Sequence, residues 1–133
     1  MNLLKRIFHK TVILDANIIL RYLLNDDEIL SSKAHEIINS YNCKVYLEVI
    51  AEVVFVLQSK NGYNVPRIDI AEQLLLLSKD VCIDKLEVLE YAIKAYCESP
   101  KLDFVDCLLY GYHRCGKKVY TFDKKLDKKM NSI

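Results

Sequence analysis

Short runs rich in β-branched and aromatic residues alternate with helix-length segments along almost the whole chain. This alternation constrains the fold more than any other feature. The runs are Thr11-Val12-Ile13-Leu14, Val45-Tyr46-Leu47, Val81-Cys82-Ile83 and Lys118-Val119-Tyr120-Thr121-Phe122. The segments between them are too long for hairpins, so successive strands should run parallel, with helices carrying the chain back. The expected architecture is an α/β fold: a three-layer α/β/α sandwich around a four- or five-stranded, mainly parallel sheet. With 133 residues the chain can bury roughly two-thirds of its unfolded surface. It has only 3 glycines and 2 prolines, and no stretch reads as a linker. Residues 1–10 are expected to form an N-terminal extension and 11–133 a single domain.

The helices can be placed from their apolar spacing and their punctuation. A helix over 17–24 is followed by the breaker Asn25-Asp26-Asp27 and a second helix over 28–40. A third, 48–60, is apolar at Val49, Val53, Val56 and Leu57, and Gly62 suits the left-handed residue beyond its end. Pro66 opens a helix carrying Ile70, Leu74 and Leu77. Asp84 with Glu87 reads as a capping box for a helix over 85–98, which Pro100 terminates. A helix from 104 ends at Gly116, and a short basic helix spans 124–131.

Several classes are excluded or disfavoured. No apolar run approaches the roughly 18 residues of a membrane span, and no apolar region follows the basic start, so no secretory signal is expected. The 5 cysteines form no Cys-x-x-Cys pair and no zinc-finger spacing. They read as buried thiols in a reducing compartment, which makes a cytoplasmic location the expectation. The net charge of +1 is unevenly spread: residues 1–10 carry +3, residues 113–133 carry +5, and the stretch between carries −7. Basic termini suit a phosphate-bearing partner as well as a simply solvated terminal helix.

Against that background four acids stand out. Asp15 and Asp123 each follow a strand-like run, while Glu52 and Asp106 lie in the early turns of helices. Each could merely stabilise a helix N-terminus. Asp15 and Glu52, however, sit among apolar sequence neighbours, and no Arg or Lys adjoins Glu52 or Asp106. In an open parallel sheet the strand ends share one edge, where ligands bind. Carboxylates gathered there repel one another unless a cation lies among them. Hard oxygen donors suit Mg²⁺ or Mn²⁺, and such an ion with phosphate-bearing partners points to phosphodiester hydrolysis. A phospho-accepting receiver domain would want paired acids near the first strand, and Asp15 has no acidic neighbour.

The stretch from Thr11-Val12-Ile13-Leu14-Asp15-Ala16-Asn17 to Asp26-Asp27 resembles the opening of PIN-domain ribonucleases of the VapC toxin type. Val49-Ile50-Ala51-Glu52-Val53-Val54, Asp103-Phe104-Val105-Asp106-Cys107 and Thr121-Phe122-Asp123-Lys124 resemble that family's later motifs, in order. The resemblance implies that Asp15, Glu52 and Asp106 are catalytic, metal-coordinating acids and Asp123 a more variable fourth. Asn17, Asp103 and Thr121 would support the site, with Glu48 at the surface or behind the ligands. Arg21 would make a salt bridge within the site or a phosphate contact. Lys124 and Lys125, with Lys117 or Lys118, would hold RNA.

The resemblance further implies a metal-dependent endoribonuclease using Mg²⁺ or Mn²⁺, a toxin blocked by a small antitoxin protein, and a homodimer formed through helices of the first half. Leucine-rich segments at 18–24 and 70–77 would offer an antitoxin helix a dock. The alternative is a catalytically silent PIN fold that binds RNA or protein. The ten residues before the first strand are more than this family usually has. They could be an extra strand or helix, an RNA-contacting arm or an appended remnant.

Overall fold

The computed structural model describes residues 10–132, so the expectation for the N-terminal extension falls outside the described residues, apart from Lys10. The chain runs β1 (Thr11–Ile13), α1 (Ala16–Leu24), α2 (Glu28–Ser40), β2 (Asn42–Val45), α3 (Leu47–Gln58), α4 (Arg67–Asp80), β3 (Cys82–Ile83), α5 (Leu86–Glu98), α6 (Phe104–Arg114) and α7 (Lys124–Asn131). The sheet has the order β1-β2-β3 and both pairings are parallel, with Val12 opposite Cys43 and Val45 opposite Ile83. Bonds from Leu14 N to Lys44 O (3.1 Å) and from Asp84 N to Val45 O (2.9 Å) extend the ladders just past the strands.

The α/β class and the parallel sheet follow the alternation in the sequence, but the sheet has three strands among the described residues, not four or five. The missing element is 118–122. It forms no ladder with the described residues, although its exposure alternates strictly: Lys118, Tyr120 and Phe122 are exposed, while Val119 and Thr121 are half-buried. Period-two patterning reports two faces, not a hydrogen-bonded edge. Leaving α6 through Gly116 (φ 91), the chain instead bonds back to it, Lys117 N donating to Tyr112 O at 3.0 Å.

Three local expectations also differ. β2 begins at Asn42, with Cys43 and Val45 buried and the polar Asn42 and Lys44 half-exposed between them, and Tyr46 already precedes α3 as its N-cap. Asp84 does not cap α5. Lys85, in the left-handed region (φ 56), stands at that position without a side-chain bond, and Asp84 lies 3.7 Å from the ammonium groups of Lys44 and Lys85. After α3 the left-handed residue is Asn64 (φ 49) and not Gly62, since Asn tolerates that conformation with little strain. Of the cysteines, all free, only Cys43 and Cys107 are buried, Cys97 being exposed. Burial pushes the Cys107 thiol up to about 12. No helix among the described residues is long and apolar enough to cross a membrane.

The core draws on every helix, from Ile19 and Ile38 through Val53, Leu74 and Leu89 to Leu126. The closest helix pairing is α5 on α6, where Gly111 is buried against the backbone of Val88. A Cβ at Gly111 would overlap the Val88 carbonyl oxygen, whereas one at Gly62 would make only ordinary contacts with Ser59. Gly111→Ala is therefore expected to destabilise the fold by roughly 1–3 kcal/mol through overpacking, outweighing the ~1 kcal/mol helix-propensity gain. Gly62→Ala should be neutral or mildly stabilising. Urea unfolding of both variants checks this, and equal midpoints would contradict the packing account.

Tyr22 of α1 donates to Asp80 Oδ2 at the end of α4 (2.8 Å). Burial, that hydrogen bond and the Asp80 charge push its phenol up to about 12. An acid whose folded pKa is raised is stabilised in its protonated form. Its contribution is therefore complete below the unfolded value of about 10 and is lost as pH rises through the folded value. Asp80→Asn should bring Tyr22 down toward its ordinary range. The phenolate absorbance difference between each protein and its Tyr22→Phe counterpart reads this out.

Candidate functional site

The four candidate acids occupy related positions but different environments. Asp15, just past β1, is the N-cap of α1, and its Oδ1 accepts from Ala16 N at 2.7 Å. Asp123 is the N-cap of α7, its Oδ1 accepting from Lys125 N (2.8 Å) and Leu126 N (3.3 Å). Asp106 and Asp103 form a capping box at the start of α6: Asp106 N donates to Asp103 Oδ1 at 2.8 Å, and Asp103 N to Asp106 Oδ2 at 3.4 Å. Glu52 caps nothing and faces solvent from the body of α3.

Both Asp15 and Glu52 are exposed, although their sequence neighbours are apolar. On a helix, neighbours in sequence are not neighbours on a face. Ile50, Val53, Val54 and Leu57 take the buried side of α3, while Glu48 and Glu52, four apart, share the outer one.

Asp106 is where the charges interact. Burial raises its pKa most, and the charges of Asp103 and then Asp123 add to the rise, although the hydrogen bond with the Asp103 backbone opposes it. Asp103, Asp106 and Asp123 thus form one electrostatic neighbourhood. Asp15 and Glu52 are tied to it through packing, since α1 packs on α3, α3 on α6 and α6 on α7. Among the described residues, no three His, Cys, Asp or Glu side chains are close enough to form a preassembled cation cage.

The donor set nevertheless fits a hard divalent cation. The ion pairs among the described residues join Arg21 to Asp26, Lys44 and Lys85 to Asp84, and Lys129 to Glu98, and none uses the four acids. Asp15 and Asp123 commit only Oδ1 to their caps and Asp106 only Oδ2. Each therefore keeps an oxygen free of hydrogen bonds among the described residues. Free carboxylate oxygens are hard donors and suit Mg²⁺ or Mn²⁺ better than zinc.

The remaining sequence candidates separate in the structure. Thr121 Oγ1 accepts from Asp123 N at 3.0 Å and so fixes the backbone entering α7. Asn17 is exposed in the first turn of α1, and its side chain makes no hydrogen bond among the described residues. Arg21 is held by Asp26 at 2.8 Å, a local pair outside the four acids. Lys125 lines a cavity of about 400 Å³ together with Lys101, Lys128 and Lys129, whereas Lys124 does not. Lys128 and Lys129 belong to the basic stretch 113–133 without being singled out by the sequence as RNA contacts, and Lys101 lies outside that stretch. The i, i+3, i+4 spacing of Lys125, Lys128 and Lys129 was the available signal for two of them.

Because its pKa is raised, Asp106 favours folding in its protonated form. That contribution is complete below the ordinary aspartate range and lost as pH climbs through the folded value. Asp103→Asn keeps a capping acceptor but removes the adjacent charge. It is expected to lower the Asp106 pKa and to flatten the pH dependence of stability just above the ordinary range. Carboxyl NMR titration measures both effects, and an unmoved Asp106 would separate the two groups.

The profile of the PIN domain family matches residues 12–130. No curated protein and no solved structure matches the chain. The matched segment contains all four acids and spans almost the entire sequence, so the chain belongs to the PIN domain family, whose members are generally nucleases that act on RNA or other nucleic acids with divalent metal ions.

Proposed function

We propose that this chain is a Mg²⁺- or Mn²⁺-dependent endoribonuclease that hydrolyses RNA phosphodiester bonds, the toxin of a type II toxin–antitoxin pair acting in the cytoplasm. Its catalytic unit is residues 11–133, with 1–10 as an N-terminal extension. The observation that carries this reading is the set Asp15, Glu52, Asp106 and Asp123. All four lie within the family match, and none is neutralised by a cationic side chain among the described residues.

In this reading the four carboxylates hold the cation, which when bound supplies Lewis acidity toward water and the scissile phosphate. The chain's own groups set up the rest. Asp103 positions Asp106 through the capping box, and Thr121 positions Asp123 through its backbone N–H. Asn17 lines the approach beside Asp15. Lys124 and Lys125 supply positive charge to the RNA backbone.

Exposed apolar groups give the protein partners somewhere to bind. Ile68, Leu75 and Leu76 are exposed on α4, spaced to share a stripe that an antitoxin helix could cover. Ile29 and Leu30 of α2 are exposed on the first-half helices through which a homodimer would form.

Purified protein with Mn²⁺ should cut RNA, and Asp15→Asn or Asp106→Asn should each lower the single-turnover rate by at least roughly 100-fold, since even groups behind metal ligands are worth about 10–100-fold. Unaltered cleavage in both variants would dismiss these acids as the site. RNA binding without any cleavage would favour the catalytically silent binding module.

A further inference from the structure

We propose that an unpaired stretch of RNA docks along residues 117–129, stacking bases on Tyr120 and Phe122 while its phosphates lie in the lysine-lined cavity between α7 and the 99–102 turn, an inference that rests on the ribonuclease reading above.

Two independent features adjoin along the chain here. The first is the outward row of 118–122. Tyr120 is 87% and Phe122 105% exposed, two residues apart on the side of the chain that faces water, and the Lys118 ammonium stands 5.5 Å from the Tyr120 ring centroid. Large aromatic rings left exposed to water and flanked by lysines form the kind of platform on which nucleobases stack. A base needs a free face to do this, which paired bases inside a duplex do not offer.

The second feature is the cavity of about 400 Å³, walled by Lys125, Lys128 and Lys129 on one side and by Ser99 and Lys101 on the other. No acidic side chain among the described residues lines it. Lys129 is drawn toward Glu98 at 3.4 Å, while Lys101, Lys125 and Lys128 have no ion-pair partner among the described residues. Cations converging without a counter-charge repel one another, and a polyanion relieves that repulsion.

Chain continuity joins the two features. Phe122 leads through Asp123 into α7, and the buried Leu126 anchors that helix. Leu102, on the opposite wall, immediately precedes Asp103. A strand lying over both features passes Asp103 and Asp123. The density of lysines around Tyr120 and Phe122 favours a polyanion over an apolar protein surface.

The test uses the full chain in chelator, so that cleavage cannot interfere, with a fluorescent single-stranded RNA and the same strand annealed to its complement. Anisotropy should show the single strand binding at least about five-fold more tightly than the duplex. Lys128→Ala should reduce the slope of log affinity against log salt by about 0.7. Phe122→Ala should weaken single-strand binding roughly five-fold or more without changing that slope, and Phe122→Tyr should restore it. Circular dichroism verifies that each variant is folded. Equal affinity for duplex, or unchanged binding in both alanine variants, overturns the proposal. A change in oligomeric mass for Phe122→Ala with RNA affinity intact also overturns it and assigns the row to a protein contact. Single-strand binding with the expected variant effects, but no cleavage in Mn²⁺, upholds the docking track and removes the catalytic reading alone.

Discussion

Tyr96 ties together four helices, among them the two that carry Glu52 and Asp106. It is completely buried in α5, and its hydroxyl donates to Gln58 at the end of α3. The Arg67 guanidinium of α4 lies 4.3 Å from its ring centroid and donates to the Tyr96 and Ser99 carbonyls. Phe104, the first residue of α6, meets its edge at 5.3 Å and 84°. A buried phenol requires a partner for its hydroxyl, and a half-buried guanidinium gains from acceptors. Gln58 meets the need of the phenol and the Tyr96 and Ser99 carbonyls meet that of the guanidinium, and α3, α4, α5 and α6 are held in one arrangement as a result. Burial raises the Tyr96 pKa while Arg67 opposes the rise, so the ring stays neutral and the lock holds over the ordinary pH range. Glu52 on α3 and Asp106 on α6 have related positions because of this tyrosine and because Gly111 lets α6 approach α5.

The capping and metal-holding readings of the acids are not rivals. A carboxylate at an N-cap uses one oxygen to satisfy helix N–H groups and gains from the positive end of the helix dipole. That gain offsets part of the repulsion when Asp103, Asp106 and Asp123 are brought into one neighbourhood. Helix starts are thus a means of gathering negative charge without lysine or arginine partners, which would occupy the oxygens a cation needs. Glu52 is the exception, since it caps nothing and pairs with nothing among the described residues. Helix stability does not account for its charge.

What could be read in the sequence divides along physical lines. The seven helices were legible because apolar spacing, Pro66 and Pro100, and the left-handed Gly116 are local signals. β1 and β3 were legible because their residues are β-branched or apolar. β2 was displaced because Asn42 and Lys44 break the apolar run while Cys43 and Val45 keep the period of two. The capping-box pattern at Asp84 misleads because it cannot sense Lys44, forty residues away in sequence and 3.7 Å away in space. The acids at Asp15, Asp106 and Asp123 could be placed at helix starts from sequence. The exposure of Asp15 and Glu52 could not, because linear neighbours do not define a face. The lysine cavity needed Lys101, which only tertiary structure brings to α7.

The segment 118–122 shows most clearly what patterning leaves undetermined. Its alternation is as regular as that of a strand, yet the outward set is Lys118, Tyr120 and Phe122, and the inward set only Val119 and Thr121. Two modest side chains bury little apolar area, so packing alone gives this stretch a weak hold on the core, whereas the aromatic side remains in water. Lysines follow Asp123 along α7, while the charges of Asp103 and Asp123 both act on Asp106. A polyanion drawn to the lysines is repelled by those carboxylates, and a divalent cation among them would reverse the local sign. Cation binding and RNA binding would then strengthen each other by the same factor in both directions. That reciprocity would give one mixed-charge surface a reason to hold lysines and unpaired acids side by side.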